Sequence, residues 1–126
     1  MIDGDDLLPE LVSQRLGVEP FAAVRRGECV SQRSSKRSAT GFWVFKVEAK
    51  PPVLPSALAR ELLAHFPADA EFWSELRRDY GVNIEFRFYV STSTGCFELE
   101  PDVARALATT GATLVFDLLE YERPGD

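Results

Sequence analysis

Hydrophobic and polar residues alternate strictly over nine positions between Val82 and Val90. This two-residue period is typical of a β-strand with one buried face, and it excludes a helix. We therefore expect helices to cover one side of a sheet, while the other side faces water or a partner. The apolar side carries Val82, Ile84, Phe86, Phe88 and Val90, and the polar side carries Asn83, Glu85, Arg87 and Tyr89.

The remaining pattern predicts four helices, two further strands and a short hairpin. Prolines near first turns, glycines after last turns and the capping residue Asp69 mark the helix ends. The hairpin is predicted between Phe21–Val24 and Glu28–Val30, around Arg26-Gly27. The predicted helices span residues 7–16, 56–66 and 69–79 and the stretch from Pro101 to Gly111, and the predicted strands span Gly41–Lys50 and Thr113–Tyr121.

Helical spacing also predicts which side chains face the core. In the first helix the apolar stripe is expected to be Leu8, Leu11, Val12 and Leu16. In the last helix two side chains are expected to face the sheet and three alanines to allow a close approach of the backbone. These are Val103 and Leu107, and Ala104, Ala106 and Ala108.

This order of elements predicts one α+β domain over residues 1–126. We expect a two-layer sandwich, a ferredoxin-like variant with helices on one face of a three- to five-stranded sheet. The segment L-L-P-E-L-V-S-Q-R-L-G near the start echoes L-E-P-D-V-A-R-A-L-A-T-T-G near the end. Only Met1-Ile2 precedes the first of these segments, so the N-terminal strand is expected to be missing or truncated. Such a sheet has a strand edge that needs cover.

Charge is distributed unevenly along the chain. The 126 residues carry a formal net charge of −6, although residues 22–40 alone carry +4 and the remainder therefore −10. An acidic chain repels phosphate backbones, so nucleic-acid binding is disfavoured. With 45% hydrophobic and 27% charged residues, the composition is that of an ordinary globular protein.

The sequence shows no targeting signal and few cysteines, and both observations favour a cytoplasmic location. The start M-I-D-G-D-D has neither a basic region nor an apolar one, and no apolar run approaches the length of a membrane helix. Cys29 and Cys96 are too few for a disulfide framework, and we interpret them as reduced thiols. A single bridge between them is the less favoured alternative.

Two segments of the chain resemble a known family. The first comprises G-D-D-L-L-P-E-L-V-S-Q-R-L-G-V-E-P at 4–20, then Gly27, an Arg-containing loop and G-F-W-V at 41–44. The second is F-E-L-E-P-D-V-A-R-A-L-A-T-T-G at 97–111 with the apolar strand up to Tyr121. Together they resemble a bacterial family of uncharacterised proteins, domain of unknown function 4279. The resemblance implies a small α+β domain without an established activity, and hence no catalytic residues to carry over. It also implies a strand immediately before the segment that begins at Gly4.

No catalytic, metal or cofactor signature is present. The single histidine, His65, lies near a predicted helix end without a nucleophile nearby in sequence, so a surface position is the better interpretation. One histidine and two distant cysteines do not form an ordinary zinc site, and no phosphate-binding glycine motif occurs. We therefore predict no catalytic residues, no metal and no cofactor.

Two groups of residues are candidate binding sites. The basic, serine-rich loop could bind phosphate or carboxylate groups through its guanidinium groups, although a solvated connection is the simpler interpretation. The polar side of the Val82–Val90 strand combines Tyr and Arg, which interfaces favour, although a wet, mixed-charge face is the simpler interpretation. Lys46 and Glu48 are expected to join that face if the two strands are neighbours. The candidate binding residues are Arg33, Lys36 and Arg37 in the loop, and Glu85, Arg87 and Tyr89 on the strand.

Two hypotheses of function follow. The first is a non-enzymatic cytosolic module that binds another protein or a copy of itself, through edge-strand addition or charge pairing. An immunity-type inhibitor, an acidic protein that blocks a basic toxin, is one form of it. The alternative is a small-molecule- or anion-binding protein or enzyme that uses the basic loop and the open sheet face.

Overall fold

The residues that the structure describes form four helices and five strands. The structure, a computed structural model, describes residues 1–31, 33, 35–49, 54–90 and 98–120, without the side chains of Tyr89, Val90, Leu118 and Glu120. Within these residues, no helix is both long and apolar enough to cross a membrane. The elements are β1 (Ile2–Gly4), α1 (Pro9–Leu16), β2 (Ala22–Val24), β3 (Gly41–Val44), α2 (Pro55–Ala64), α3 (Ala70–Asp79), β4 (Gly81–Val90), α4 (Pro101–Thr110) and β5 (Thr113–Glu120).

The strands form one mixed sheet in the order β2-β3-β1-β4-β5. All neighbours are antiparallel except β4 and β5, which run parallel over eight residue pairs, from Asn83↔Thr113 to Val90↔Glu120. The leading strand, which the sequence predicts to be missing or truncated, is the three-residue β1 at the centre of the sheet. The α+β, two-layer prediction is confirmed.

The helices cover one face of the sheet through two groups of buried side chains. The first group joins α1 and α3 to β1, β3 and the start of β4, and the indole of Trp43 donates to Ser13 Oγ at 3.0 Å. The second group joins α2 and α4 to the middle of β4. The first comprises Ile2, Leu7, Val12, Leu16, Trp43, Trp73, Leu76 and Val82, and the second comprises Ala59, Ile84, Phe86, Val103 and Leu107.

Local signals set the helix ends as predicted. Proline stands at the first turn of α1, α2 and α4, where its missing N–H costs no hydrogen bond. Asp69 caps α3 by accepting from the Glu71 N–H at 3.0 Å. Gly17 and Gly111 end α1 and α4 with φ of 75° and 63°, a conformation that glycine adopts without strain.

The predicted strand Gly41–Lys50 is too long. β3 ends at Val44 because its neighbours end there: Ala22 of β2 pairs with Val44 and Ile2 of β1 pairs with Trp43. A strand assignment requires a hydrogen-bonded neighbour, and the described residues 45–49 have no paired strand beside them. Lys50 lies outside the described residues.

The predicted hairpin between Phe21–Val24 and Glu28–Val30 is also wrong. Residues 22–24 pair with β3, which extends the sheet by one strand. Glu28–Val30 instead forms its own small hairpin, in which the Ser38 N–H donates to Glu28 and the Val30 N–H donates to Lys36.

Two helix faces differ from the prediction. Leu8 and Leu11 are exposed, because Leu8 is the extended residue that precedes α1, and Leu7 fills the core position instead. The three alanines of α4 face solvent rather than the sheet, since Val103, Leu107 and Thr110 form its buried stripe. The exposed alanines are Ala104, Ala106 and Ala108.

Candidate functional site

The polar face of β4 carries an ionic cluster. The Arg87 Nη2 donates to Glu85 Oε1 at 3.1 Å, and the Arg87 Nε lies 3.9 Å from Asp117 Oδ2 on β5. These groups share one face because β4 and β5 are paired in register, Arg87 with Asp117. The backbone of Tyr89 continues this face, and its side chain lies outside the described ones. The charges of this cluster thus have partners within the chain.

The basic loop folds into the small hairpin that follows β2. Arg37 donates to the Gly27 carbonyl at 2.8 Å, Lys36 accepts through its carbonyl, and Arg33 lies exposed near the tip. Arg37 also pairs with Cys29 across the hairpin. The Arg37 side chain therefore helps to hold the hairpin together.

Two further arginines near this hairpin reduce the charge contrast that the sequence indicates. Arg25 forms an ion pair with Glu10 of α1, and Arg26 lies 3.8 Å from Asp5. These ion pairs are exposed and contribute little stability. They do, however, place acidic groups of the remaining chain directly beside the basic segment, which weakens the case for charge pairing with a partner.

The sheet keeps the two candidate groups in different regions. The basic hairpin follows the edge strand β2, and two strands, β3 and β1, separate β2 from β4. Lys46 and Glu48 do not join the β4 face, because β1 lies between β3 and β4; they pair with each other at 2.6 Å. The structure brings Glu85 and Arg87 together, but the three loop residues form a separate surface.

The outer edge of β5 presents backbone groups without a strand partner among the described residues. Asn83 exchanges two backbone hydrogen bonds with Met1, at 2.9 and 2.6 Å. The backbone N–H and C=O groups of the odd-numbered residues of β4 therefore point towards β1, and those of the even-numbered residues point towards β5. In the parallel register, the odd residues of β5 then bond to β4. The N–H and C=O groups of Leu114, Phe116 and Leu118 consequently point outward.

The N-terminal amine of Met1 lies on the β1 side of β4, across that strand from β5. Burial lowers the pKa of the amine, and the nearby carboxylates of Asp3 and Glu85 oppose that shift. The group donates to the Asn83 carbonyl, as a backbone N–H would in a sheet.

Apolar side chains are exposed on both faces of β5. Leu114 and Phe116 share the helix-covered face, since they pair with Ile84 and Phe86, yet they are 36% and 46% exposed. Val115, on the open face, is 40% exposed. The buried residues of α4, Val103 and Leu107, belong instead to the group that packs on Ile84 and Phe86 of β4.

Sequence reasoning missed this edge as a site. The run T-L-V-F-D-L-L-E is apolar at both alternating positions, which normally indicates a strand buried on both faces. The same pattern on the last strand of a sheet produces two exposed apolar faces. The signal was therefore present, but its meaning depends on the place of β5 in the sheet.

An arginine clamp ties α2 to the start of α4. The Arg60 guanidinium contacts the carboxylates of Glu100 and Asp102, the second at 3.0 Å. Hydrogen bonds from Arg60 lower the pKa of Asp102 below its usual range. The Glu100 N–H donates to Ser56 Oγ at 2.9 Å, which adds a second link between the two helices. This clamp helps to hold α4 over β4.

Two concavities of the described surface lie away from the candidate residues. One is an open groove of about 660 Å³ beside α1, and the other is a hollow of about 80 Å³ between α2, α3 and α4. The groove includes Glu10, Ser13, Gln14 and Glu19, and the hollow includes Leu63, Trp73, Ala106 and Thr110.

The fold and its edge define a small two-layer α+β protein whose mixed sheet ends in a parallel, apolar edge strand. The chain belongs to the family described as a domain of unknown function (DUF4279), whose model matches residues 1–121. The family resemblance noted from the sequence is thereby confirmed. Comparisons with curated proteins and with solved structures found no match.

Proposed function

We propose that this protein is a non-enzymatic, cytosolic interaction module that binds another protein chain by strand addition at β5. The observation that carries the proposal is the edge itself. Along β5, outward backbone groups are combined with the apolar side chains of Leu114, Val115 and Phe116, which are exposed on both faces. A strand that added to this edge would satisfy those backbone groups and cover the apolar side chains.

The sequence of β5 has little of the usual protection of an edge strand, since Asp117 and Glu120 are its only charged residues. Exposed edges generally carry lysine, proline or a bulge that blocks pairing, because unpaired edges otherwise promote association. The run T-L-V-F-D-L-L-E has no lysine, arginine, proline or glycine, and its register with β4 is continuous. An edge that is long, regular and apolar is what a strand-binding surface requires.

The alternative, an anion- or small-molecule-binding site in the basic loop and the open face, has weaker support. Arg37 bonds within its own hairpin, and Arg87 pairs with Glu85 and Asp117. The two groups also belong to different regions of the sheet. The residues thus do not converge on one concave site, which a ligand pocket would require.

Affinity capture from the native host at low salt tests the proposal, followed by reconstitution of any captured complex from purified proteins. Three variants are compared with the wild type: Phe116→Lys at the edge, Arg33→Ala/Arg37→Ala in the hairpin, and Ala57→Lys on the exposed side of α2 as a matched charge control. We expect complex formation to be lost in Phe116→Lys only, since a lysine blocks an edge.

The opposite pattern would overturn the proposal. If the hairpin variant loses the complex and Phe116→Lys retains it, the basic loop is the binding site. If the wild type neither captures a partner nor associates with itself at high concentration, as judged by light scattering after size exclusion, the interaction function fails altogether.

A further inference from the structure

We draw no further inference here: the strongest candidate, the stretch of β4 beyond Asn83 on the side of the sheet that β1 occupies, where Glu85 and Arg87 have no paired strand among the described residues, carries nothing because nothing in the structure shows what covers it.

Discussion

Two stacked phenylalanines on adjacent strands offer a direct test of how far β5 is exposed. Phe86 and Phe116 are register partners, and their rings stack with centroids 5.2 Å apart. Phe86 is 6% exposed beneath α4, whereas Phe116 is 46% exposed. Both substitutions to alanine remove a phenyl ring and the stacking contact between the two strands, and Phe86→Ala also removes the stacking of Phe86 on Phe88. Their difference therefore reports mainly on burial.

The expected magnitudes follow from that burial. Phe86→Ala leaves a cavity in the core between β4 and α4 and should lower the free energy of unfolding by about 3–5 kcal/mol. Full burial of a phenylalanine contributes up to about 3 kcal/mol, so Phe116, with about half of its surface buried, should contribute about 1.5 kcal/mol. We therefore expect Phe86→Ala to be the more destabilising by at least about 1.5 kcal/mol.

Urea unfolding monitored by the fluorescence of Trp43 and Trp73 provides the measurement. It should be made at a concentration where sedimentation shows monomers, since association would add stability to the wild type. The slope with denaturant should stay constant among the variants. If Phe86→Ala does not fold, Phe86→Leu replaces it. Equal losses for the two positions would mean that β5 is covered in the monomer, and the argument for an open edge would fail.

Two further predictions concern the ends of the helices. Asp69→Ala should lower the free energy of unfolding by about 1 kcal/mol, because the first turn of α3 loses its cap, while Asp69→Asn should retain most of that stability. Equal losses of stability for the two variants in urea unfolding would contradict the capping role. Arg60→Gln should raise the pKa of Asp102 towards its ordinary value, as measured by NMR titration. A carboxylate whose pKa is lowered by folding stabilises the folded state at pH values above its unfolded pKa, 3.8, and this stabilisation is lost as the pH falls through the folded pKa. The loss of stability in acid should therefore be smaller in Arg60→Gln than in the wild type. An unchanged titration of Asp102 would refute the clamp.

Helix ends were predictable because their determinants are local. Pro101 opens α4, Gly111 closes it, and Asp69 caps α3, all as their neighbouring residues indicate. The face that each helix buries was less predictable. Leu8 matches the apolar spacing of α1 but precedes the helix, and Leu7 takes the buried position, since the exact start of a helix shifts every following side chain around its axis.

The candidate site was predictable only in part. The alternation in Val82–Val90 correctly placed Glu85 and Arg87 on one open face, because side-chain direction along a strand has a fixed period. Their contact with Asp117 was not foreseen, since it requires β5 to pair with β4 in a particular register. The prediction that Lys46 and Glu48 join this face was wrong for the same reason, because β1 lies between β3 and β4.

Local patterns along the chain were therefore enough to predict a two-layer α+β fold, its helix ends and the polar face of its longest strand. They did not reveal that the three residues of β1 form the centre of the sheet or that β5 lies at its edge. Strand order depends on hydrogen bonds between residues far apart in sequence, and the exposure of Leu114, Val115 and Phe116 depends on which helix lies above which strand. Those relations exist only after the chain has folded, so the position of the apolar run of β5 at the edge of the sheet is decided by its neighbours.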